Sequence, residues 1–244
     1  MRALAIAWFV WSVAFAAESD PYRNAPPDGW VDLAGIRGVV LDVRYHTSAN
    51  FTGAPIPGYG AAGAWLRAAP AQAIERVQHR LAAQGKALKV YDAYRPLRGT
   101  LAMVAWAERT GNVALLDDGY IARRSGHNRG HTVDVSVVDA TTGVELDMGT
   151  PWDTLTSASH TRAATGDALA HRLLLKEVME AEGWKAYWKE WWHFTFPAEG
   201  DPPARDVPYG CSEPPEGEWT APAGWARPGW ERPPASTPLP CAGG

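Results

Sequence analysis

The sequence predicts an α+β fold: a small, mostly antiparallel sheet with helices packed on one side. Three observations support this prediction. The chain has 244 residues, 46% of them hydrophobic, so one domain can bury a core without disulfides or oligomerisation. Apolar residues recur with the period of a strand in some segments and of a helix in others. The side chains with metal-binding chemistry fall at or beside the predicted strands.

The first residues predict where the protein acts. Arg2 is followed by fifteen uncharged, mostly apolar residues that end in a small-x-small pattern at Ala14 and Ala16. This pattern predicts a secretory signal peptide over residues 1–16 and a secreted or periplasmic mature protein. A membrane anchor is the alternative, but a spanning helix needs about twenty apolar residues. No Cys lies near the predicted cleavage site, so a lipid anchor is not indicated.

The next part of the chain contains a loop-rich segment, a helix and a strand. Residues 18–64 are rich in Gly, Pro and Asn, with one predicted strand at residues 39–43. A helix is predicted from Pro70 to Gly85, since proline favours a first turn and glycine an end. Its apolar residues at helical spacing are Ile74, Val77 and Leu81. Residues 87–94 then alternate as a strand.

Further helices and strands are predicted as far as residue 196. The strand just described ends at Arg95, and a second helix is predicted over about 97–110. Residues 132–138 alternate with period two and predict a strand. A third helix is predicted over about 167–182, followed by an aromatic-rich strand over 191–196. These elements predict one domain over residues 17–200.

The C-terminal segment differs in composition. Eleven of the twenty prolines fall within residues 201–244, with little apolar periodicity, which predicts a tail and not a second domain. Both cysteines, Cys211 and Cys241, lie in it, and in an oxidising compartment they could close a loop.

Charge excludes two classes of partner. The formal net charge is −4 and the sequence pI about 6.0. Such a chain has no global positive field that would attract nucleic acid or anionic lipid, so neither is expected as a partner.

Two zinc-ligand types lie close together in the segment 125–134. His127 stands on a loop between glycines, and Asp134 follows on the predicted strand, on its more polar face. A rival pairing of His127 with His131 would imitate the helical i, i+4 histidines of zincins, but that motif needs a helix and a Glu directly after the first His. Here Asn128 follows, so His131 is expected in the wall of the site or behind the metal ligands.

A second cluster contains Glu190 and His193. Residues three apart on a strand point to opposite faces, so both can reach one metal only if Glu190 lies on the turn before the strand. Together with His127 and Asp134, His193 would complete three ligands, which leaves the fourth zinc position open. A carboxylate beside the metal can then accept a proton from water.

Four motifs, in this order, resemble the D-alanyl-D-alanine dipeptidases of the vancomycin-resistance type, with weaker similarity at residues 42–45 (DVRY) and 50–53 (NFTG). The motifs are residues 91–96 (YDAYRP), 125–134 (SGHNRGHTVD), 147–153 (DMGTPWD) and 190–193 (EWWH). The resemblance runs from about residue 30 to 197. This family shares its zinc fold with D,D-carboxypeptidases and Hedgehog-type zinc domains.

The resemblance implies roles residue by residue: one zinc ion on His127, Asp134 and His193; Glu190 as base; Arg95 on the scissile carbonyl oxygen; and Ser125 and Asp153 on the carboxylate and amine of a D,D-dipeptide. A permanently charged guanidinium suits an oxyanion, although a purely structural pair between Arg95 and Asp92 is the alternative. The implied activity is zinc-dependent hydrolysis of D-Ala-D-Ala to two D-alanines.

Two rival functions stay open. A D,D- or L,D-carboxypeptidase would act on peptidoglycan stem peptides, in which the substrate extends beyond a free amine. An acid at Asp153 aimed at an amine favours the free dipeptide. A non-catalytic, zinc-bearing peptidoglycan-binding domain is the alternative of another class, and the presence of Glu190 and Arg95 disfavours it.

Overall fold

The computed structural model describes residues 22–198 and 200–213. The helices within this part are α1 (Ala68–Ala82), α2 (Leu97–Arg109), α3 (Ala114–Asp117) and α4 (Gly166–Ala181). The strands are β1 (Trp30–Asp32), β2 (Val40–Leu41), β3 (Trp65–Arg67), β4 (Lys86–Asp92), β5 (Thr132–Asp139), β6 (Lys185–Ala186) and β7 (His193–Thr195). None of these helices combines the length and apolar character needed to cross a membrane.

The main sheet has five strands in the order β2-β4-β5-β7-β6, and β1 pairs with β3 in a separate ribbon. The pairs β4–β5, β5–β7 and β6–β7 are antiparallel, whereas β2 and β4 are parallel. The expected mostly antiparallel α+β sheet is therefore confirmed, with one parallel pair. That pair is possible because the long connection between β2 and β4 contains α1.

The helices cover the sheet as their apolar spacing predicts. Ile74, Val77 and Leu81 on α1 are fully buried, and α1 packs against β3, β4 and α4. Helix α4 packs in turn against β5 and β6. Helix α1 begins at Ala68, two residues before Pro70. Proline fits within this first turn because the N–H groups there have no acceptor inside the helix.

Helix α4 buries an arginine as well as apolar residues. Val178 and Met179 are buried as expected, but the candidates Leu169 and Leu173 are only half-buried. Arg172 is 1% exposed. Its guanidinium donates hydrogen bonds to three backbone carbonyls, those of Met148 (2.6 Å), Ala158 (3.1 Å) and His160 (2.7 Å). It thereby holds the loop between β5 and α4.

Part of the segment predicted as a tail packs on the domain. Tyr209 is fully buried in the main core; its hydroxyl donates to the carbonyl of Tyr94 at 2.7 Å and accepts from the amide of Trp65 at 3.2 Å. Residues 1–21 and 214–244 lie outside the described chain, and with them the predicted signal peptide and Cys241. The pairing of Cys211 with Cys241 stays a prediction.

Candidate active site

A short 3₁₀ turn, Gly126–Arg129, carries His127 into the site directly before β5. The Ser125 hydroxyl caps it by accepting a hydrogen bond from the His127 amide at 3.2 Å. Gly130 ends the turn with φ 72°, and a Cβ there would overlap the ring of Trp30. Glycine is therefore required at residue 130 for both its conformation and its lack of a side chain.

Strand pairing brings the other two predicted ligands beside His127. In the sheet, Asp134 of β5 is directly opposite His193 of β7. Nδ1 of His193 lies 3.0 Å, and Nε2 of His127 3.3 Å, from Oδ1 of Asp134, and the two imidazole nitrogens are 3.4 Å apart. One ligand atom from each residue lies within 4.8 Å of the others, so the three can hold a metal ion.

The chemistry of these side chains fits zinc. Nδ1 of His127 is 2.6 Å from the Ala93 carbonyl oxygen, which can only accept, so Nδ1 carries the hydrogen and Nε2 keeps its lone pair for a metal. Burial lowers the pKa of His193 and favours the neutral imidazole that metals bind. Burial opposes ionisation of Asp134, but His127 and His193 outweigh it and lower its pKa. Two nitrogens and one carboxylate oxygen form a common catalytic zinc set.

Behind these ligands lies a buried carboxylate that sequence reasoning considered only as a partner for Arg95. Asp92 is fully buried. Its Oδ1 accepts from the Tyr59 hydroxyl at 2.5 Å, and its Oδ2 accepts from Nε and Nη2 of Arg95 at 3.0 and 2.8 Å. The same Oδ2 lies 3.3 Å from Nδ1 of His127. Asp92 therefore contacts both a metal-ligand candidate and Arg95. Its place three residues before Arg95, in the YDAYRP motif, was the signal that the sequence offered.

Arg95 combines a structural pair with a place in the cleft. Its hydrogen bonds to Asp92 use Nε and Nη2, and none of its hydrogen bonds to the described residues uses Nη1. Nη2 is 4.0 Å from Oδ2 of Asp134, and the guanidinium stacks over the Tyr45 ring, 5.2 Å from its centroid. The pairing with Asp92 that the sequence left open is present, and it fixes a guanidinium that lines the cleft.

Glu190 lies beside the ligands and outside the group that they form. It precedes β7 on a turn, and its Oε2 is 3.6 Å from Nδ1 of His193. Burial raises the pKa of its carboxyl well above the usual value, and the charge of Asp134 adds to the effect. A carboxylate with raised proton affinity, close to the metal position, suits the role of a base.

Asp153 has unusual backbone and side-chain environments. It is the one non-glycine residue with positive φ (61°) in the described chain, on the loop that Arg172 holds. Its Oδ1 accepts from the Tyr45 hydroxyl at 3.2 Å, whereas the buried Oδ2 has no hydrogen-bond partner within the described residues. Burial raises the pKa of Asp153, helped by the nearby Asp134. An unpaired buried carboxylate is costly, so the site suits a ligand that brings a cationic donor.

These groups share one cleft of about 250 Å³. All seven residues that the sequence singled out line it: Arg95, Ser125, His127, Asp134, Asp153, Glu190 and His193. Tyr45 also lines it and was missed as an individual site residue, although it ends the DVRY motif. The remaining walls are mostly aromatic and apolar.

The other histidines of the described chain make different contacts. His46 and His171 bond the backbone carbonyls of Tyr59 and Asp147, each at 2.8 Å. His160 bonds the Tyr120 hydroxyl at 2.9 Å. His131 does not line the cleft, so the expected wall position is wrong, and none of these histidines joins the candidate metal group.

Comparison with known proteins agrees with this geometry. The peptidase M15 family model, described as D-ala-D-ala dipeptidase, matches residues 28–211. The D-alanyl-D-alanine dipeptidase of Streptomyces coelicolor is 34% identical over 182 residues, which cover 68% of this chain and 90% of that protein. Those of Enterococcus faecium and Enterococcus faecalis are 30% and 33% identical, over 71% and 65% of this chain and 90% and 86% of their own lengths. With a matching family model across most of the chain and a metal-ligand group at the expected residues, the chain belongs to the M15 family of D-Ala-D-Ala dipeptidases, which are metallopeptidases.

Proposed function

We propose that this protein hydrolyses the dipeptide D-Ala-D-Ala to two molecules of D-alanine, with one zinc ion held by His127, Asp134 and His193. The observation that carries the proposal is the meeting of these three ligand atoms, within 4.8 Å of one another, in the cleft that also contains Glu190. The three relatives are D-alanyl-D-alanine dipeptidases, which supports D-Ala-D-Ala as the substrate.

Zinc, when bound, supplies Lewis acidity that lowers the pKa of water and polarises a carbonyl group. Glu190 accepts a proton from the attacking water and delivers it to the nitrogen of the leaving D-alanine. The burial that raises its pKa gives the carboxylate the proton affinity for this exchange.

Arg95 stabilises the charge that develops on the substrate carbonyl oxygen. Asp92 holds one edge of the guanidinium, so Nη1 is free to donate to that oxygen without reorganisation. The same fixed geometry explains why a lysine would be a poor replacement, since an ammonium has no rigid fork.

Asp153 and Ser125 bind the two ends of the dipeptide. The unpartnered Oδ2 of Asp153 accepts from the substrate ammonium, whose positive charge stabilises the ionised carboxylate. The Ser125 hydroxyl already accepts from the His127 amide and keeps its hydrogen to donate to the substrate carboxylate. A carboxypeptidase substrate would place a neutral amide beside Asp153, so the free dipeptide fits better.

We also propose that the mature protein is exported, as the apolar run after Arg2 predicts. The expected amino terminus is at or next to Ala17. Amino-terminal sequencing of the protein from its native host checks this, and a chain that still begins at Met1 would refute it.

A panel of three substrates tests the activity: D-Ala-D-Ala, L-Ala-L-Ala and a pentapeptide that ends in D-Ala-D-Ala. We expect D-alanine release from the first only. Release from the pentapeptide at a comparable kcat/KM would indicate a carboxypeptidase. Binding of the pentapeptide with no hydrolysis of any substrate would indicate the non-catalytic domain.

A further inference from the structure

The charged side chains that line the cleft are not all neutralised within it. Three are acids, Asp134, Asp153 and Glu190, and two are arginines, Arg95 and Arg124. Asp134 is surrounded by the ligand imidazoles, but Oδ2 of Asp153 has no hydrogen-bond partner among the residues that the structure describes. The cleft therefore has an anionic group ready for a cation, and a small zwitterion would need a cationic group as well.

The guanidinium groups of Arg95 and Arg124 differ in their ion pairs within the described chain. Arg95 is buried and bonds the carboxylate of Asp92 through two nitrogens. Arg124 is exposed and forms no ion pair with the part of the chain that the structure describes. It directly precedes Ser125, which also lines the cleft.

The neighbouring Arg123 differs from Arg124, because its guanidinium is ion-paired. Arg123 lies 3.4 Å from Glu108 and 3.7 Å from Asp117, and it does not line the cleft. Of these two consecutive arginines, Arg123 forms ion pairs outside the cleft and Arg124 lines the cleft.

We propose that Arg124 recognises the free C-terminal carboxylate of the dipeptide and so determines specificity for substrates that end there. The proposal rests on the proposed function, which supplies the zwitterionic substrate. A guanidinium forms strong charge-assisted hydrogen bonds to a carboxylate and can present two N–H groups to it. Arg124 would act with the Ser125 hydroxyl at one end of the substrate, while Asp153 holds the amine.

The recognition acts on the substrate terminus and not on the reacting bond. Removing the guanidinium should therefore raise KM while kcat changes little. Because the side chain is exposed, solvent weakens the interaction, and we expect an effect of about 10-fold on KM.

The test compares D-Ala-D-Ala with its C-terminal amide, D-alanyl-D-alaninamide, which keeps the amine and the scissile bond but lacks the carboxylate. The zinc-loaded wild type should prefer the acid. Arg124→Ala should lose about 10-fold in kcat/KM for the acid, with little change for the amide. Arg124→Lys should recover part of the preference, and Arg123→Ala, the matched control, should behave as wild type. An equal loss on acid and amide, or an unchanged preference in Arg124→Ala, would overturn the proposal.

A binding measurement separates this proposal from the proposed function. Dissociation constants for the acid and the amide are measured by calorimetry on zinc-loaded Glu190→Gln, with and without Arg124→Ala. A preference for the acid that depends on Arg124 supports the proposal even if the wild type turns over neither compound. Turnover of D-Ala-D-Ala with no such dependence would leave the proposed function intact and refute the role of Arg124.

Discussion

The side chains of Glu190 and His193 approach each other, with Oε2 of the first 3.6 Å from Nδ1 of the second, because a turn separates Glu190 from β7. On an unbroken strand, residues three apart would point to opposite faces. The sequence required a turn at Glu190 if both residues were to serve one metal, and the turn is present. Glu190 lies close to the three candidate ligands and is not one of them, as expected of a base.

Replacing Glu190 by Ala should separate catalysis from metal binding. We expect zinc to stay near one per chain while kcat falls by about 10²–10⁴-fold, the usual cost of losing a general base. KM should change much less, because proton transfer occurs after binding. Zinc content and kinetics measured together check this, with Glu182→Ala on the α1–α4 surface as a control that keeps full kcat. Loss of zinc from the Glu190 variant would make Glu190 a ligand and refute its assignment as base.

Asp92 contacts both His127 and Arg95, so Asp92→Asn should affect metal binding and turnover together. The amide keeps the shape of the side chain but loses the charge that orients both partners. Loss of such an outer partner typically costs about 10–100-fold in metal affinity or activity.

Zinc dissociation, measured by competition with a chelator, and kcat both report the effect of Asp92→Asn. The control is Asp42→Asn, since Asp42 is also ion-paired, 2.7 Å from Lys89, but does not line the cleft. Wild-type zinc affinity and turnover in the Asp92 variant would show that Asp92 only fills space.

At the scale of the elements, three neighbouring strands assemble the site. Asp92 at the end of β4 pairs with Asp134 of β5, which pairs with His193 of β7. The hydrophobic period of a strand or helix lies within its own segment, so most elements could be predicted from the sequence. Strand order and register depend on contacts between distant residues, which is why neither the parallel β2–β4 pair nor the place of Asp92 behind the ligands was predicted.

The burial of strand β5 also could not be predicted from its own sequence pattern. Strand β5 alternates Thr132, Asp134 and Ser136 with valines, which predicts one polar face. Both faces are in fact buried, with Thr132 and Ser136 at 0% and Asp134 at 2% exposure. Alternation of polar and apolar residues along one strand cannot reveal that distant segments bury its polar face.

Tyr209 shows how a segment without periodicity can contribute to the core. Its ring packs against Trp65, with centroids 4.2 Å apart, and its hydroxyl bonds two backbone groups. Tyr209→Ala should lower the free energy of unfolding by about 3–5 kcal/mol, the usual cost of deleting a buried large aromatic ring.

Urea unfolding at fixed zinc concentration measures the effect of Tyr209→Ala. The matched control is Trp188→Ala, because Trp188 is 60% exposed and its loss should change stability by no more than about 0.5 kcal/mol. Equal midpoints for the Tyr209 variant and the wild type would contradict the structural role of this segment.

At the scale of the whole molecule, one cleft contains the candidate metal-ligand group, the proposed base Glu190 and two groups of opposite charge, Asp153 and Arg124. Residue types at the motifs predicted His127, Asp134, His193 and Glu190 in it, and the family resemblance added Arg95, Ser125 and Asp153. The sequence could not show that an oxygen of Asp153 and the charge of Arg124 have no partner within the described chain, because this depends on which side chains meet after folding.

The central claim is that one zinc ion on His127, Asp134 and His193 is required for hydrolysis of D-Ala-D-Ala. Its most direct test is to strip the metal with a strong chelator, titrate zinc back, and record D-alanine release against bound zinc. We predict no release without metal, a linear rise with added zinc and a plateau at one zinc per chain, and no recovery in His193→Ala, because two remaining ligands rarely hold catalytic zinc. Full activity in the metal-free protein would contradict the account.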